Sequence, residues 1–296
     1  MVSAIKNILF TPALPCFGLM GCGSSNPCLY CPLERRKVGG VSAWEDAEVG
    51  LRTFGSLNMN YASWLDLREG VEKTEFTREF KSVTGHVLVE GVGDTFDTSV
   101  LDKCPPCALH LFLATNDLIN HLERASWPEI KAVLYDLFGI KAHSYQGKER
   151  NYQGPQIRKM LANLEQLVPL VQGDPIRCLY LDVFFKIKQF NQGLFGLKLD
   201  TNWRFLVAQL RAALLSLNSS TSFPITPKFH IILEHVPQWV EKNGRSLAKE
   251  AEHAGESVHH HWKRHLETQG EVQDKESKSF ETQTLRCMVK FNSDNV

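Results

Sequence analysis

Five segments with helical periodicity follow one another between residues 100 and 218, and they constrain the fold more than any other feature of the chain. In the first of them, leucines recur at positions that suit one buried helix. Two of the others open with proline, which is favoured in the first turn of a helix. The five segments are Val100–Ala125, Pro128–Ile140, Pro155–Val171, Ile176–Gly196 and Asp200–Asn218. The pattern predicts a mainly α-helical middle of the chain with short polar connections.

Composition places the chain among globular proteins. It has 296 residues, of which 43% are hydrophobic and 22% charged, enough to form a sizeable core. The formal net charge is +0, so no overall field attracts nucleic acid or a membrane surface, and DNA contacts would depend on local basic patches. Pro12 and Pro15 interrupt the mildly apolar N-terminal stretch. We therefore expect neither a signal peptide nor a membrane span there, and no membrane partner.

Changes in composition predict three regions. An N-terminal region, 1–99, which is glycine-rich over residues 1–40 and carries the first Cys-x2-Cys pair, precedes the helical region, 100–218. A third region, 219–296, begins with the predicted linker Ser219–Pro224. In the third region, Thr226 and Pro227 have the character of an N-cap and a first helical residue, and Gly244 is expected to end that helix. Two more helices are predicted over Lys249–Thr268 and Phe280–Asn292.

Two ligand pairs make a zinc site one interpretation of the sequence. The eight cysteines are too sparse for a disulfide scaffold, and a Cys-x2-Cys pair such as Cys28/Cys31 is typical of zinc ligands. His230 and His235 are five positions apart, which is about 140° on a regular α-helix. Pro237 argues against a regular helix there and favours a distorted turn. The alternative is a buried thiol pair and two unrelated hydrogen-bonded histidines, since spacing alone does not bring the two pairs together.

A second cysteine pair offers a competing set of ligands. Cys104, Cys107 and His110 supply three donors at successive intervals of three residues. The leucines that follow indicate a helix entering a core, so the alternative is a packed helix start with His110 hydrogen-bonded to backbone.

Acidic and basic residues share one face of the predicted helix Lys249–Thr268. Glu252, Glu256, His260 and Lys263 fall close to one line on an ideal helix. Carboxylates with nearby cations are the groups that metal-assisted phosphoryl transfer uses. A solvated amphipathic helix explains the same pattern.

The order of the motifs resembles the Transib transposase and RAG recombinase family over nearly the whole chain. The motifs that carry the resemblance are PCLYC, ALHLFLATNDLIN, NYQGPQIRKML, FHIILEHVPQWVEKNG and EHAGESVHHHWKRH. In that family two distant segments share one structural zinc, so the resemblance implies the zinc ligands Cys28, Cys31, His230 and His235. His110 matches a family histidine that we interpret as structural.

The resemblance also implies a fold and a chemistry. The family comprises DDE recombinases, in which an RNase H-like core with two aspartates and one glutamate binds two Mg²⁺ or Mn²⁺ ions, and a helical insertion domain precedes the glutamate. Glu256 matches the catalytic glutamate, and Arg158, Lys159 and Lys263 become candidate DNA-contact residues. The implied fold is mainly α: a zinc-stapled helical insertion domain with a partial, incomplete RNase H-like core.

The chain departs from the family pattern in its acids. The family's second aspartate should lie near position 9, where this sequence reads NILFTPALP, and residues 1–44 contain Glu34 as their one acid. We therefore expect the chain to correspond to the C-terminal half of such a recombinase, without two of its three catalytic acids.

Two functions follow as expectations. The first is a recombinase-derived DNA-processing protein that acts in the nucleus, binds DNA and is inactive alone. A homodimer is the assembly considered for it. The alternative is a non-enzymatic, zinc-stabilised DNA- or protein-binding module adopted by its host.

Overall fold

The fold is mainly helical. A computed structural model describes residue 19 and residues 24–34, 36–38, 41–43, 50–67, 79–83, 94–106, 108–145 and 148–250. The chain divides into two compact units, the first made of residues 1–35, 47–105 and 250–296 and the second of residues 36–46 and 106–249.

Among its described residues, the first unit has two helices, α1 (Phe54–Leu67) and α2 (Val100–Lys103). The second unit begins with a hairpin of β1 (Arg36–Val38) and β2 (Val41–Ala43). Its other elements are α3 (Ala108–Ala125), α4 (Ile130–Phe138), β3 (His143–Tyr145), β4 (Lys148–Asn151), α5 (Gly154–Ala162), α6 (Val168–Val171), α7 (Pro175–Phe195), α8 (Trp203–Thr221), α9 (Pro227–His230), a π-helical turn (Ile231–His235) and α10 (Val236–Asn243). Short 3-10 turns occupy Leu164–Leu167 and Leu247–Glu250.

Backbone pairing at the start of α1 organises the first unit. The N–H of Arg52 donates to the carbonyl of Tyr30 at 2.7 Å, and the carbonyl of Arg52 accepts from Val100 at 2.9 Å. Ser99 caps α2 by accepting from the N–H of Asp102. The segment around Arg52 is therefore held on both sides, which fixes the direction of its side chain.

Helices α7 and α8 form the most extensively packed helix pair of the second unit, and α3 packs against α7 as well as α4, α5 and α9. The α7–α8 approach is close at Gly193, where a Cβ atom would lie 2.4 Å from Leu206 Cδ1 and 3.3 Å from Asp200 Cβ. Asp174 caps α7 by accepting from the N–H groups of Ile176 and Arg177.

A buried asparagine ties α3 to the segment before α5. The Nδ2 group of Asn116 donates to the Tyr152 carbonyl at 2.9 Å, and its Oδ1 accepts from the Tyr152 N–H at 2.7 Å. The amide thus pairs with one residue as a neighbouring strand would, and it satisfies two backbone groups that burial would otherwise leave without water.

Three of the predicted segments differ from the structure. The pattern Val100–Ala125 is divided into α2, which ends at Lys103, and α3, which begins at Ala108. The pattern Pro155–Val171, expected as one helix, is divided at Asn163 into α5, a 3-10 turn and α6. Asn163 Nδ2 donates to the Lys159 carbonyl at 2.8 Å, and Pro169 has no N–H to continue a helical ladder. The predicted linker Ser219–Pro224 is helical as far as Thr221, because α8 continues to that residue.

The other predicted features of the second unit follow the sequence pattern closely. Pro155 lies in the first turn of α5, and Gly244 ends α10 with a φ of 61°. Among the described helices, none is both long and apolar enough to cross a membrane. The predicted helices over Lys249–Thr268 and Phe280–Asn292 lie essentially outside the described residues.

Candidate metal centre

The two cysteines of the first pair lie in a buried loop of the first unit. Cys28 and Cys31 are 0% and 2% exposed. The N–H of Tyr30 donates to Cys28 Sγ at 3.4 Å. The loop therefore directs backbone N–H toward the sulfur, an arrangement that stabilises a thiolate.

The carbonyl groups of the same loop converge on a buried arginine. Arg52 is 2% exposed, and its Nε donates to the carbonyls of Cys28 at 3.2 Å and Cys31 at 3.1 Å. Its Nη2 donates to the carbonyls of Asn26 at 3.2 Å and Lys81 at 2.9 Å. One guanidinium thus donates to four carbonyls, three of which belong to the buried residues Asn26, Cys28 and Cys31.

Electrostatics in this loop keep the arginine charged and the first thiol protonated. Burial, followed by the neighbouring Cys31, raises the pKa of Cys28 well above its ordinary value. Burial lowers the pKa of Arg52 to about 10, while Cys28 and Cys31 oppose that change. Arg52 therefore still carries its charge at neutral pH, and a metal ion that binds Cys28 must displace a proton.

The two histidines lie at the ends of a π-helical turn. The turn Ile231–His235 is closed by a bond from the Val236 N–H to the Ile231 carbonyl, five residues earlier. A ladder of this type brings positions i and i+5 to the same face, whereas a regular α-helix separates them by about 140°. His230 and His235 therefore face each other, with their Nε2 atoms 3.1 Å apart.

The sequence explains why the ladder is disturbed at this point. Pro237 has no N–H, so it cannot donate to the carbonyl of Leu233, its helical partner four residues earlier. Arg211 Nη2 donates to that carbonyl instead, at 3.3 Å, and also to Glu234 Oε1 at 2.7 Å. A side chain from α8 thus replaces the missing backbone donor.

A hydrogen bond orients the second histidine. His235 Nδ1 lies 2.8 Å from Oε1 of Gln238. An amide oxygen can only accept, so Nδ1 carries the proton and the lone pair of Nε2 is directed toward His230. This is the tautomer that a metal bound at Nε2 requires.

The predicted zinc ligands are brought together. The ligand atoms of Cys28, Cys31, His230 and His235 all lie within 4.8 Å of one another, and all four residues are buried. In a tetrahedral zinc site, ligand atoms are about 3.3 to 3.8 Å apart, given bond lengths of about 2.0 to 2.3 Å. The 3.1 Å between the imidazole nitrogens is close to that geometry. The donor set and its spacing fit a metal ion such as zinc.

The candidate DNA-contact residues have structural contacts of their own. Arg158 and Lys159 are exposed on α5. The guanidinium of Arg158 lies 4.9 Å from the ring centroid of Phe112. Lys159 Nζ lies 4.0 Å from the place where a Cβ on Gly139 would be, at the C-terminal end of α4. A cation at that end of a helix is favoured by the helix dipole.

Most of the remaining candidate site residues lie outside the part of the chain that the structure describes. Glu256, Lys263 and their neighbours Glu252 and His260 lie outside the described residues. Cys104 and His110 of the competing ligand set are buried, and Cys107 lies outside the described residues.

Two residues of the centre, Arg52 and Gln238, were not predicted from the sequence. Arg52 is one arginine among many, 21 positions after Cys31, and nothing in its local pattern indicates burial. Gln238 follows His235 by three positions, a spacing that places side chains on one helix face; that spacing could have pointed to it.

No family model matches this chain, and no curated protein does.

Proposed function

We propose that the chain binds one structural zinc ion through Cys28, Cys31, His230 and His235. The observation that carries this proposal is the convergence of two buried thiols and two buried imidazoles, with all ligand atoms within 4.8 Å of one another. Two thiolates neutralise the charge of a divalent ion, and the two imidazoles bind as neutral ligands. The buried group therefore gains no net charge on binding.

The donor set favours a structural role over a catalytic one. Catalytic zinc sites use three protein ligands and leave a fourth position to water, whereas structural sites use four protein ligands. Here four protein donors are available, and all of them are buried. Zinc would link segments that are distant in sequence, and its binding energy would add to the stability of the fold.

Metal analysis of the purified chain tests the zinc proposal. We expect about one zinc per chain, retained through dialysis, as for other four-ligand structural sites. Cys28→Ser and His235→Ala should each remove the bound metal, whereas Cys178→Ser should not, because Cys178 is an exposed free thiol outside the ligand group. Zinc content unchanged in both ligand variants would contradict the proposal.

We further propose that the chain is a DNA-processing protein derived from a DDE recombinase of the Transib and RAG type, acting in the nucleus. Support comes from the order of five motifs along the sequence, and a mainly helical region between the two ligand pairs agrees with a helical insertion. On this proposal Glu256 is the remaining catalytic acid. It would bind Mg²⁺ or Mn²⁺ only weakly by itself, because two-ion chemistry requires further carboxylates.

A DNA-binding assay tests the recombinase-derived proposal. Fluorescence anisotropy with duplex DNA should show salt-dependent binding, because each phosphate contact releases counterions. Replacing Arg158 and Lys159 by alanine should lower the slope of log K against log salt by about 2. Arg204→Ala is the matched control, because that exposed arginine is already paired with Glu241 at 2.6 Å. An unchanged slope in the double variant would remove both residues from the interface.

The alternative is a non-enzymatic, zinc-stabilised module that binds DNA or protein. The observation that favours it is the absence of aspartate from residues 1–44, where the family pattern places its second catalytic acid. Salt-dependent DNA binding without any strand cleavage would support the module, whereas metal-dependent cleavage that requires Glu256 would support a working recombinase.

A further inference from the structure

We propose that Arg52 is the positioning residue of the metal centre, and that it holds the Cys28–Cys31 loop in the conformation that binds metal. This inference rests on the zinc site proposed above and assigns a role to a residue that is not itself a ligand.

The position of Arg52 is fixed by its backbone. Its backbone is fixed through hydrogen bonds to Tyr30 on one side and Val100 on the other, at 2.7 and 2.9 Å. The side chain is 2% exposed and therefore points into the first unit rather than into solvent. A long side chain held in this way loses rotamer freedom, so its contacts must compensate.

The contacts of the Arg52 side chain are made to backbone oxygen. The guanidinium donates to four carbonyl oxygens, of Cys28, Cys31, Asn26 and Lys81, at 2.9 to 3.2 Å. Among the described residues, its hydrogen-bond partners are carbonyls rather than carboxylates. A buried arginine is usually paired with an acid. Here backbone carbonyls take that place, and two of them belong to the cysteines.

The carbonyl contacts orient the peptide groups of the cysteine loop. In the loop Cys28–Cys31, the N–H of Tyr30 points to Cys28 Sγ at 3.4 Å. The carbonyls of Cys28 and Cys31 point instead to Arg52. Without the guanidinium, these buried carbonyls would lack a donor, and the loop would turn to satisfy them. Arg52 thereby maintains the peptide orientation that presents N–H to sulfur.

Neighbouring polar groups support the same loop. Asn26 donates through Nδ2 to the Pro32 carbonyl at 2.8 Å, and its backbone N–H donates to Ser82 Oγ at 3.0 Å. These bonds hold both ends of the cysteine loop in the first unit. Arg52 contacts the loop between them, at the two ligand residues themselves, so it determines the conformation at the sulfurs.

Cobalt(II) binding to the full chain tests the proposal. Cobalt replaces zinc at tetrahedral sites and reports thiolate coordination through its charge-transfer and d–d absorption bands. The variants are Arg52→Met, which removes both charge and donors, and Arg52→Lys, which retains the charge and part of the hydrogen bonding. Each protein is titrated with Co²⁺ alone, and then with Zn²⁺ in competition.

Arg52→Met should bind Co²⁺ about 10- to 100-fold more weakly than the wild type, the range found when outer-sphere partners of metal ligands are replaced. Its charge-transfer band should also be altered, because the thiolates no longer hold the same geometry. Arg52→Lys should recover part of the affinity and of the spectrum. A role in general stability alone would not alter the spectrum of the folded, metal-bound protein.

Arg177→Met is the matched control. Arg177 donates to the Ser126 carbonyl through two nitrogens, at 3.3 and 3.0 Å, and lies 4.8 Å from the ring centroid of Trp127. It contacts carbonyl oxygen as Arg52 does but belongs to the second unit. Its loss should lower stability and leave cobalt affinity and spectrum unchanged.

The outcomes separate the two proposals. If the wild type binds no cobalt or zinc, the zinc site fails and the role of Arg52 fails with it. If the wild type binds and both Arg52 variants bind as tightly with the same spectrum, only the role of Arg52 is overturned. An equal loss in Arg177→Met would also overturn it. If Arg52→Met does not fold, Arg52→Lys decides: wild-type affinity and spectrum in that variant overturn the proposal, and weaker binding supports it.

Discussion

At the scale of single residues, the metal centre depends on side chains that orient the ligands. His235 has its proton fixed at Nδ1 by Gln238 Oε1, 2.8 Å away. Cys28 and Cys31 have their carbonyls fixed by Arg52. Thiol and imidazole pairs can be recognised from sequence spacing, whereas their orienting partners depend on which side chains the fold places nearby.

Replacing Gln238 should lower or raise the metal affinity, depending on the side chain that is introduced. Gln238→Ala removes the acceptor for His235 Nδ1 and should weaken zinc binding by roughly tenfold, at the low end for outer-sphere partners because Gln238 is exposed. Gln238→Glu supplies a carboxylate, which makes the imidazole a better donor, and should strengthen binding several-fold. Competition with a chromophoric chelator measures both, and Gln166→Ala is the exposed glutamine control. Equal affinity in all three variants would show that Gln238 does not orient the histidine.

His121 should make the metal-free protein less stable in mild acid. Burial, and secondarily Arg124, lowers the pKa of His121 below 6.5, and its Nδ1 is hydrogen-bonded to Tyr180. The unfolded chain therefore takes up this proton at a higher pH than the folded chain does. The stability is present above about pH 6.5 and is lost as the pH falls through the folded-state pKa.

Urea unfolding between pH 7.5 and 5 in the presence of a chelator measures this effect. His121→Gln should reduce the loss of unfolding free energy over that range, because the proton-binding group is gone while a polar side chain remains. An identical pH dependence in wild type and variant would show that His121 does not contribute.

At the scale of elements, the sequence predicts regular helices well and irregular ones poorly. Apolar periodicity correctly indicated α3, α7 and α8, and Gly244 correctly indicated the end of α10. The pattern through Pro155–Val171 did not reveal the break at Asn163, because the break depends on a side chain capping a carbonyl rather than on a change in hydrophobic period.

The π-helical turn is the element on which the histidine pair depends. Pro237 predicted a distortion, but the type of distortion depends on Arg211, which comes from α8 and donates to the Leu233 carbonyl. A contact 22 positions apart in sequence cannot be seen in the local pattern. The sequence therefore indicated two histidines and an irregular turn, and the structure shows why they face one another.

Pro237→Ala should separate metal affinity from stability. The new N–H can donate to the Leu233 carbonyl, so the turn can become a regular helix in which His230 and His235 are about 140° apart. We expect zinc affinity to fall at least tenfold, while the metal-free protein unfolds at the same temperature or higher. Calorimetry with and without chelator measures both quantities, and Pro169→Ala is the control because that proline lies in α6. Undiminished zinc affinity would show that Pro237 does not maintain the turn.

At the scale of the whole molecule, zinc should contribute directly to stability. An ion held by ligands from residues 28 to 235 binds the folded chain far better than the unfolded one, and this difference is free energy of folding. Removing it with a chelator should lower the unfolding temperature of the wild type by several degrees or more. Cys31→Ser should start at the lower temperature and not respond to the chelator. A wild type that is insensitive to complete metal removal would exclude a structural role.

The last prediction concerns catalysis by the 296-residue chain. In-line displacement at a phosphodiester requires two metal ions held about 3.5 to 4 Å apart by carboxylates on both sides. Glu256 is the one acid assigned by resemblance, and Glu252, four positions earlier, would project from the same predicted helix. Glu252 therefore cannot replace acids that project from strands on the other side of the two metal ions. We therefore expect no nicking or strand transfer in Mg²⁺ or Mn²⁺, measured on labelled supercoiled and linear DNA. If cleavage does occur, the variant Glu256→Gln distinguishes its origin. Loss of activity in this variant would place Glu256 in a complete catalytic site. Survival of activity would mean that neither Glu256 nor descent from a recombinase accounts for the cleavage.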